Sequence, residues 1–554
     1  MIKIFIFCFL TNFFYYCLGS LILYQSKNNN YSLFYKTFLG VIITSFIALL
    51  LNFFIPLDKN INTFIFILVI LIFLLKLKIE IDEIKFLIIS TLICFFLILL
   101  SNVNRPDAGL YHLPYISILN EYKIIFGLNN LHSRFGHTSI VQYLSAINNN
   151  YLFKENGIII PLASIAAFYY MYFLNEVLVI YKKKKQLNLN SLFSLSILIY
   201  ISFKIMGYDG FGNDAIAHLS LFYLISYILK IQKKNFNFSH ILLISVFIFL
   251  NKSTMIVVFI IPIYFFFYKY KFNFKKIFTP IISFSIFFLL LWVLKNLIVS
   301  GCAVYPLIMT CSEYLPWLNI NSTKEYNIAS EAWSKAWPEN DNKKLSMEVF
   351  ISNFNWINAW SKKHFIYIIN IILPYTLIIF LMFLSFRISF KNVKNEKVTI
   401  KLSEFYWVAF FTCLIGSVLF FVKFPIYRYG YSYIVCLIIL AFIFFFKEKI
   451  SKQNIIRTSG IIFFLTIISF IGKQGFRLIK NYNLNYIDKP WPRIYSFETN
   501  QKIGSKKYYI KNNVYYYLSE NGECMYSSPP CTNFKIDEKL NADLVHGYII
   551  FTYK

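Results

Sequence analysis

The sequence predicts an all-α polytopic membrane protein. Of its 554 residues, 58% are hydrophobic and only 14% are charged, whereas a soluble domain carries about 25% charged residues. The apolar residues form repeated continuous runs, each close to the roughly 20 residues that cross a bilayer as a helix. Because the runs are continuous rather than alternating, helices rather than barrel strands are expected to satisfy the backbone in lipid.

The apolar runs follow one another along most of the chain and predict about 11–14 transmembrane helices. A polar break at residues 251–254 separates two short runs, which predicts half-helices or a bent hairpin there. We expect a transmembrane domain over residues 1–472 and a tail subdomain over residues 473–554. The predicted spans are 2–23, 33–55, 61–76, 84–101, 157–181, 191–206, 214–231, 239–250, 254–268, 277–299, 365–386, 402–422, 429–446 and 456–472.

The distribution of lysine predicts which loops face the cytoplasm. Lysine-rich segments between the spans all fall on one side, and the positive-inside rule assigns that side to the cytoplasm. The loops 102–156 and 300–364 and the tail 473–554 are then extracytoplasmic. The net charge of +28 reflects these loop lysines, so we exclude nucleic acid as a partner.

The tail and the cysteines support this orientation. Runs of aromatic residues between 508 and 518 predict strands, so the tail is expected to form a small extracytoplasmic α/β subdomain. The four cysteines that lie in polar segments all fall on the extracytoplasmic side, where disulfides are allowed. Their spacing suggests two local bridges, and free thiols are the alternative. The candidate pairs are Cys302 with Cys311 and Cys524 with Cys531.

A polar sequence at residues 104–114 interrupts the apolar runs directly after the fourth predicted span. Ionisable groups at a membrane edge are candidates for a functional site. Asp107 could act as a general base or as the ligand of a divalent metal, Mg²⁺ or Mn²⁺. The structural alternative is that Asp107 caps a helix beginning near Ala108. The ionisable side chains of this loop are Arg105, Asp107, Tyr111 and His112.

The rest of the loop 102–156 adds two candidates for binding an anion. Arg134 offers a planar fork that fits phosphate oxygens, and His137 follows it closely. Between these residues and Asp107, residues 115–126 predict an amphipathic helix lying in the membrane interface.

Other charged residues belong to short segments on the same predicted side. Asp209 and Asp214 could support an acceptor or a metal, although Asp214 could instead cap the next helix. Lys252 lies in the break at 251–254 and needs an anionic partner, either an aspartate or a phosphate, unless it snorkels. Arg428 is a candidate for a phosphate clamp. Two further lysines, Lys204 and Lys295, are expected to snorkel to the interface.

These features resemble the GT-C superfamily of membrane glycosyltransferases, which includes protein O-mannosyltransferases and aminoarabinose transferases. The chain looks most similar to an uncharacterised family of multi-pass bacterial membrane proteins related to them. Three segments carry the resemblance. They are DAGLYHLP at 107–114, KNLIVSGCAVYP at 295–306 and CMYSSPPCT at 524–532.

The resemblance implies a GT-C-like helical bundle in the bacterial inner membrane, with its active site facing the periplasm. Asp107 would be the catalytic carboxylate, the donor a sugar on a polyprenyl phosphate, and the acceptor a membrane lipid or a glycan. Many related enzymes carry paired acids in this loop, whereas Asn104 and Pro106 accompany a single Asp107 here. The need for a metal therefore stays open.

Two other functions remain as alternatives. An O-antigen polymerase or ligase also has many spans, but its large outside loop usually comes later in the chain. A transporter or flippase would carry charged residues near the middle of its spans and often inverted repeats. The sequence shows neither feature clearly, and it also contains no Walker A, GxSxG or HExxH motif.

Overall fold

The computed structural model describes residues 1–24, 31–182, 189–204, 211–212, 214–231, 236–270, 279–339, 345–387, 397–398, 402–446, 450–484, 488–489, 491–499, 503–511 and 514–553. Helices dominate these ranges, and a small β region forms the C-terminal tail. In chain order the helices are α1 (Ile2–Tyr24), α2 (Leu33–Asn52), α3 (Lys59–Lys76), α4 (Ile81–Ile98), α5 (Leu113–Glu121), α6 (Ile140–Ile147), α7 (Ile160–Lys182), α8 (Leu189–Lys204), α9 (Asp214–Lys230), α10 (Phe238–Asn251), α11 (Ile260–Tyr270), α12 (Pro280–Ser300), α13 (Ile320–Ser334), α14 (Met347–Ile351), α15 (Ile357–Trp360), α16 (Ile366–Arg387), α17 (Tyr406–Lys423), α18 (Tyr427–Phe446) and α19 (Lys452–Tyr482).

Within the described ranges, nine helices are long and apolar enough to cross a membrane. The chain is therefore a multi-pass membrane protein, as its composition predicts. The larger count of about 11–14 spans stays a prediction, because it requires α4 and the shorter apolar helices to cross as well. The nine are Ile2–Tyr24, Leu33–Asn52, Lys59–Lys76, Lys154–Ile180, Pro280–Ser300, Ile357–Arg387, Tyr406–Lys423, Tyr427–Phe446 and Asn454–Tyr482.

Close helix packing builds the core of the bundle around α7, of which an 18-residue window is 94% buried. At the α1–α2 contact, a Cβ atom on Gly19 would lie 1.8 Å from the carbonyl oxygen of Lys36, and one on Gly40 would lie 1.8 Å from that of Tyr15. Small residues that let two backbones approach are typical of helix pairs in membranes.

The predicted polar break between α10 and α11 is present. Lys252 leaves the helix with an extended backbone, at φ −151° and ψ 101°. A short 3₁₀ segment, Ser253–Phe259, then leads into α11. The break places the Lys252 side chain beside the first turn of α9, where its ammonium nitrogen contacts Asp214.

Several segments expected on the extracytoplasmic side meet at one end of the bundle. The Asn130 amide of the loop 102–156 donates to the Trp317 carbonyl of the loop 300–364 at 2.8 Å, and the Trp360 indole of that second loop donates to the Pro425 carbonyl at 2.7 Å. The far end of α9 carries Lys230, whose ammonium group lies 2.6 Å from the carboxylate of Glu176 on α7. The structure thus brings these predicted outside segments together.

The tail forms short strands that dock on the loop 102–156. A three-stranded sheet contains β3 (Ser505–Lys511), β4 (Val514–Ser519) and β5 (Cys531–Thr532), and a hairpin contains β6 (Leu540–Val545) and β7 (Tyr548–Tyr553). A separate two-stranded pair, β1 (Lys397–Val398) and β2 (Ile450–Ser451), lies outside the tail. The Phe126 N–H donates to the Ile549 carbonyl at 3.0 Å, and the Phe551 N–H donates to the Phe126 carbonyl at 2.9 Å. These bonds join the hairpin to the loop.

Two local predictions are wrong. The segment 115–126 is not an amphipathic interfacial helix, because α5 ends at Glu121 and its residues from Leu113 to Asn120 are all buried. The tail covers it, and the Ser117 hydroxyl donates to the Ser527 carbonyl at 2.6 Å. Lys295 does not snorkel, because its side chain is fully buried and bonds to the Thr138 hydroxyl.

Candidate functional site

The loop after α4 is held in place from the far end of the chain. The Arg477 guanidinium of α19 donates to the Leu99 carbonyl at 2.9 Å, and the Asn481 amide donates to the Leu100 carbonyl at 2.8 Å. These bonds satisfy carbonyl groups that the end of a helix leaves free. They define where the polar loop begins.

A π-helical turn then forms at Ala108–His112. Asp107 precedes this turn in a helical conformation, and its side chain makes no capping hydrogen bond. The structural alternative for Asp107, a helix cap, is therefore wrong. The carboxylate instead contacts two arginines from other parts of the chain.

Asp107 lies between Arg428 and Arg134. Its Oδ2 is 2.9 Å from Nη1 of Arg428, and its Oδ1 is 3.5 Å from Nη1 of Arg134. The Asp107 side chain is 38% exposed and that of Arg428 is 49% exposed. The carboxylate is therefore neutralised by two cations yet remains accessible from solvent.

The backbone of Arg428 is fixed although its side chain is accessible. Its carbonyl oxygen accepts hydrogen bonds from Nζ of Lys252 at 3.1 Å and from Nε2 of His218 at 2.9 Å. Since Nε2 of His218 donates, Nδ1 accepts from the Ser432 hydroxyl at 2.6 Å. Buried groups thus anchor the start of α18 while the guanidinium can reach a ligand.

Asp214 links this anchor to the rest of the site. Its Oδ1 lies 2.6 Å from Nζ of Lys252, and its Oδ2 lies 4.0 Å from Nε of Arg428. The ammonium group also lies 4.2 Å from the ring centre of Tyr429, a cation–π contact. Lys252 is only 8% exposed. The Asp214 carboxylate and the Tyr429 ring therefore stabilise its buried positive charge.

Tyr111 and His112 support the site in different ways. The ring of Tyr111 lies below the guanidinium of Arg134, with 4.9 Å from the guanidinium carbon to the ring centre. His112 is buried, and the amide nitrogen of Gln142 donates to its Nδ1 at 3.1 Å. Burial lowers the pKa of His112 to about 4, so this ring is neutral near pH 7.

His137 belongs to an aromatic cluster beside Arg134. Its ring centre lies 5.3 Å from that of Tyr305 and 5.5 Å from that of Tyr326, and the two tyrosine rings are stacked 5.6 Å apart. Burial lowers the pKa of His137 to about 4, so His137 is uncharged near neutral pH. A neutral ring can donate one hydrogen bond to a phosphate, but it adds no positive charge to the site.

Sequence reasoning missed Tyr326 and Tyr429. Burial raises the pKa of Tyr326 to about 12, and Arg134 and Asp107 are among the charges that act on its hydroxyl group. Tyr326 comes from α13, within the loop 300–364. Tyr429 directly follows Arg428, and that adjacency was the available signal.

Two further candidates from the sequence are Arg105 and Asp209. Arg105 is exposed, and its carbonyl accepts a hydrogen bond from the Gly109 N–H at 2.9 Å. Asp209 lies outside the described residues. The structure therefore brings together Asp107, Arg134, Asp214, Lys252 and Arg428, with Tyr111 beneath them.

Two of the three segments that carry the family resemblance are in direct contact, and the third, 295–306, packs against the loop 102–156. The Gly109 carbonyl accepts hydrogen bonds from the Cys524 and Met525 N–H groups at 3.0 Å and 2.9 Å. A Cβ on Gly136 would lie 2.5 Å from the ring of Tyr305. Two disulfides close the participating loops, Cys302 with Cys311 and Cys524 with Cys531.

The described side chains do not fit a metal ion. Among the residues that the structure describes, no group of three or more His, Cys, Asp or Glu side chains is arranged to hold one. Mg²⁺ prefers several oxygen ligands, whereas Asp107 contributes one carboxylate that already faces two guanidinium groups.

A small apolar cavity lies near the site. Its volume is about 10 Å³, close to the minimum for one water molecule, so it does not accommodate an isoprenoid chain. Phe211 lines it, and the ring centre of Phe211 is 6.2 Å from that of His112. The other lining residues are Leu97, Ile98, Ser101, Val103, Ile159, Leu162 and Ala163.

Comparison with known proteins gives one match. The family model of a domain of unknown function, DUF8201, matches residues 1–435. This range contains Asp107, Arg134, Asp214, Lys252 and Arg428, and it ends before the β tail. No curated protein and no solved structure matches the chain significantly.

Proposed function

The chain belongs to the DUF8201 family, and we propose that it is a membrane glycosyltransferase of the GT-C type. It would transfer a sugar from a polyprenyl-phosphate donor to a lipid or glycan acceptor on the periplasmic face of a bacterial inner membrane. The observation that supports this proposal is the accessible Asp107 carboxylate between the guanidinium groups of Arg428 and Arg134.

The charge balance of the cluster favours an anionic substrate. Arg134, Lys252 and Arg428 face two carboxylates, those of Asp107 and Asp214. The phosphate of the sugar donor can accept hydrogen bonds from the same guanidinium group that now contacts the Asp107 carboxylate. Arg428 could therefore exchange the carboxylate for the phosphate while its backbone stays fixed by Lys252 and His218.

In the proposed reaction, the acceptor hydroxyl oxygen attacks the anomeric carbon of the donor sugar. Its proton moves to Asp107, and the bond between the anomeric carbon and the phosphate oxygen breaks. The polyprenyl phosphate leaves with the bonding electron pair, and the two arginines neutralise its charge. General base catalysis contributes about 10²–10⁴-fold, and one well-placed electrostatic donor contributes about 10²–10³-fold.

The position of the cluster argues against the transporter alternative. Asp107 precedes the π turn after α4, Lys252 lies in the break after α10, and Arg428 lies in the first turn of α18. These residues occupy helix ends at one end of the bundle, whereas transport sites lie near the middle of the bilayer.

Mass spectrometry of surface glycolipids and glycans tests the proposal. We expect a glycosylated product in cells that contain the protein and its loss with Asp107→Asn at equal protein level. The matched control is Asp82→Asn, because Asp82 is 84% exposed and pairs locally with Lys85 on α4. Unchanged product with Asp107→Asn would exclude Asp107 as the base, and unchanged product in cells lacking the protein would refute the glycosyltransferase function.

A further inference from the structure

The segment that follows α12 exposes a concentration of apolar side chains. Between Cys302 and Leu318 the sequence contains a single charged residue, Glu313. Met309 is 90% exposed and Tyr314 is 97% exposed. We call residues 302–318 the apolar finger. Large exposed apolar surfaces usually mark contact with a partner or a membrane.

The finger has a defined shape. The disulfide between Cys302 and Cys311 closes its base. The Ala303 N–H donates to the Thr310 carbonyl at 2.9 Å, and the Ser312 N–H donates to the Gly301 carbonyl at 2.9 Å. The exposed side chains are therefore presented by an ordered, cross-linked turn.

The finger lies beside the end of an exposed apolar face of α12. On α12, a candidate membrane span, Ile286, Leu290 and Leu294 are spaced four residues apart and are 43%, 58% and 46% exposed. Four-residue spacing places them on one face of the helix. The next turn is covered by the finger, where the Trp317 indole donates to the Leu297 carbonyl at 2.8 Å.

We propose that the apolar finger is a membrane anchor that inserts into the interfacial layer of the bilayer beside the end of α12. The partner that contacts the finger is lipid, because the finger continues a helix face that is itself apolar and exposed. Tyrosine is enriched at this depth, and the exposed Tyr314 supplies it. Interfacial elements of this kind bury their apolar side about 5–10 Å into the boundary between headgroups and acyl chains.

This anchor would hold the polar site at the membrane surface. Tyr305, in the base of the finger, stacks on Tyr326 and contacts His137. The aromatic cluster therefore connects the finger to the loop that carries Arg134. The proposal does not depend on which reaction occurs at Asp107.

Photo-crosslinking in a bilayer tests the proposal. The purified full chain is reconstituted in nanodiscs of phosphatidylethanolamine and phosphatidylglycerol, with Met309→p-benzoylphenylalanine. The matched control is Tyr509→p-benzoylphenylalanine, because Tyr509 on β3 is also exposed, at 69%. We expect lipid adducts by mass spectrometry at position 309 and several-fold fewer at position 509.

Hydroxyl-radical labelling of the unmodified protein provides a second measurement. Met309 and Tyr314 are more exposed than Tyr509, yet in nanodiscs we expect them to be labelled several-fold less. Crosslinking at 309 to a second copy of the chain would make the finger an oligomer interface and overturn the proposal. Lipid adducts in equal yield at both positions, or labelling of the finger equal to that of Tyr509, would also overturn it.

Discussion

The carboxylate of Asp107 and the guanidinium of Arg428 lie 2.9 Å apart although 321 residues separate them in the sequence. Arg428 lies in the first turn of α18, and Asp107 precedes the π turn after α4. Their contact brings the front of the chain to its last third at one end of the bundle.

Replacing Arg428 should affect transfer far more than stability. Its side chain and that of Asp107 are both more than a third exposed, and exposed ion pairs contribute about 0–1 kcal/mol. We expect Arg428→Gln to lower transfer about 10²–10³-fold while the unfolding temperature in detergent changes little. Arg387→Gln, at the far end of α16, is the control and should keep full transfer. A loss of transfer that parallels unfolding would contradict this prediction.

Lys252 and Asp214 should be coupled in stability. Asp214→Asn leaves a lysine that is 8% exposed without its carboxylate. Breaking a fully buried pair costs about 3–5 kcal/mol, and we expect somewhat less here because Asp214 is 31% exposed. The double change Asp214→Asn with Lys252→Met should destabilise less than Asp214→Asn alone, as measured by thermal unfolding of all variants. Additive effects in this cycle would show that the pair is not coupled.

Gly109 should be required for docking of the tail. A Cβ there would lie 2.6 Å from the Met525 sulfur and 2.8 Å from the Glu523 carboxylate. Overpacking of this kind costs about 1–3 kcal/mol, so Gly109→Ala should increase proteolysis of the tail after residue 484. Gly472→Ala is the control, since a Cβ there meets no atom within 4 Å. Equal proteolysis of both variants would mean that Gly109 does not hold the tail.

Stability should fall as the pH is lowered from about 6.5 towards 4. Burial lowers the pKa of His112, His132 and His137 to about 4 each, whereas an unfolded histidine has a pKa of about 6.5. The unfolded state therefore binds more protons in this window, and each histidine costs about 1.4 kcal/mol per pH unit. Above about pH 6.5 this contribution is fully present.

Thermal unfolding measured between pH 7 and 4.5 checks this dependence. His132→Asn should make the slope shallower, because it removes one titrating group. The asparagine oxygen can still accept the hydrogen bond that Nδ1 of His132 now takes from the Arg134 N–H at 3.1 Å. A slope identical to that of the unchanged protein would show that His132 does not titrate in this window.

Some of the candidate site could be predicted from local chemistry. Asp107, Arg134, Lys252 and Arg428 were identifiable because charged residues are costly near lipid. Tyr326 could not be identified in this way, since a tyrosine in a polar segment carries no such signal. The burial of Lys295 could not be predicted either, because whether a lysine is buried or snorkels depends on what packs beside α12.

The sequence by itself determined that this is a multi-pass helical membrane protein, because the length of an apolar run and the bilayer thickness decide whether a helix can span. It also determined that polar residues gather in a few segments outside those runs. Only the tertiary structure decided the partners. In the folded protein Asp107 contacts two arginines, Lys252 pairs with Asp214, and α5 is buried beneath the tail. Those contacts join residues between 27 and 410 positions apart, and they depend on helix packing that no local pattern encodes.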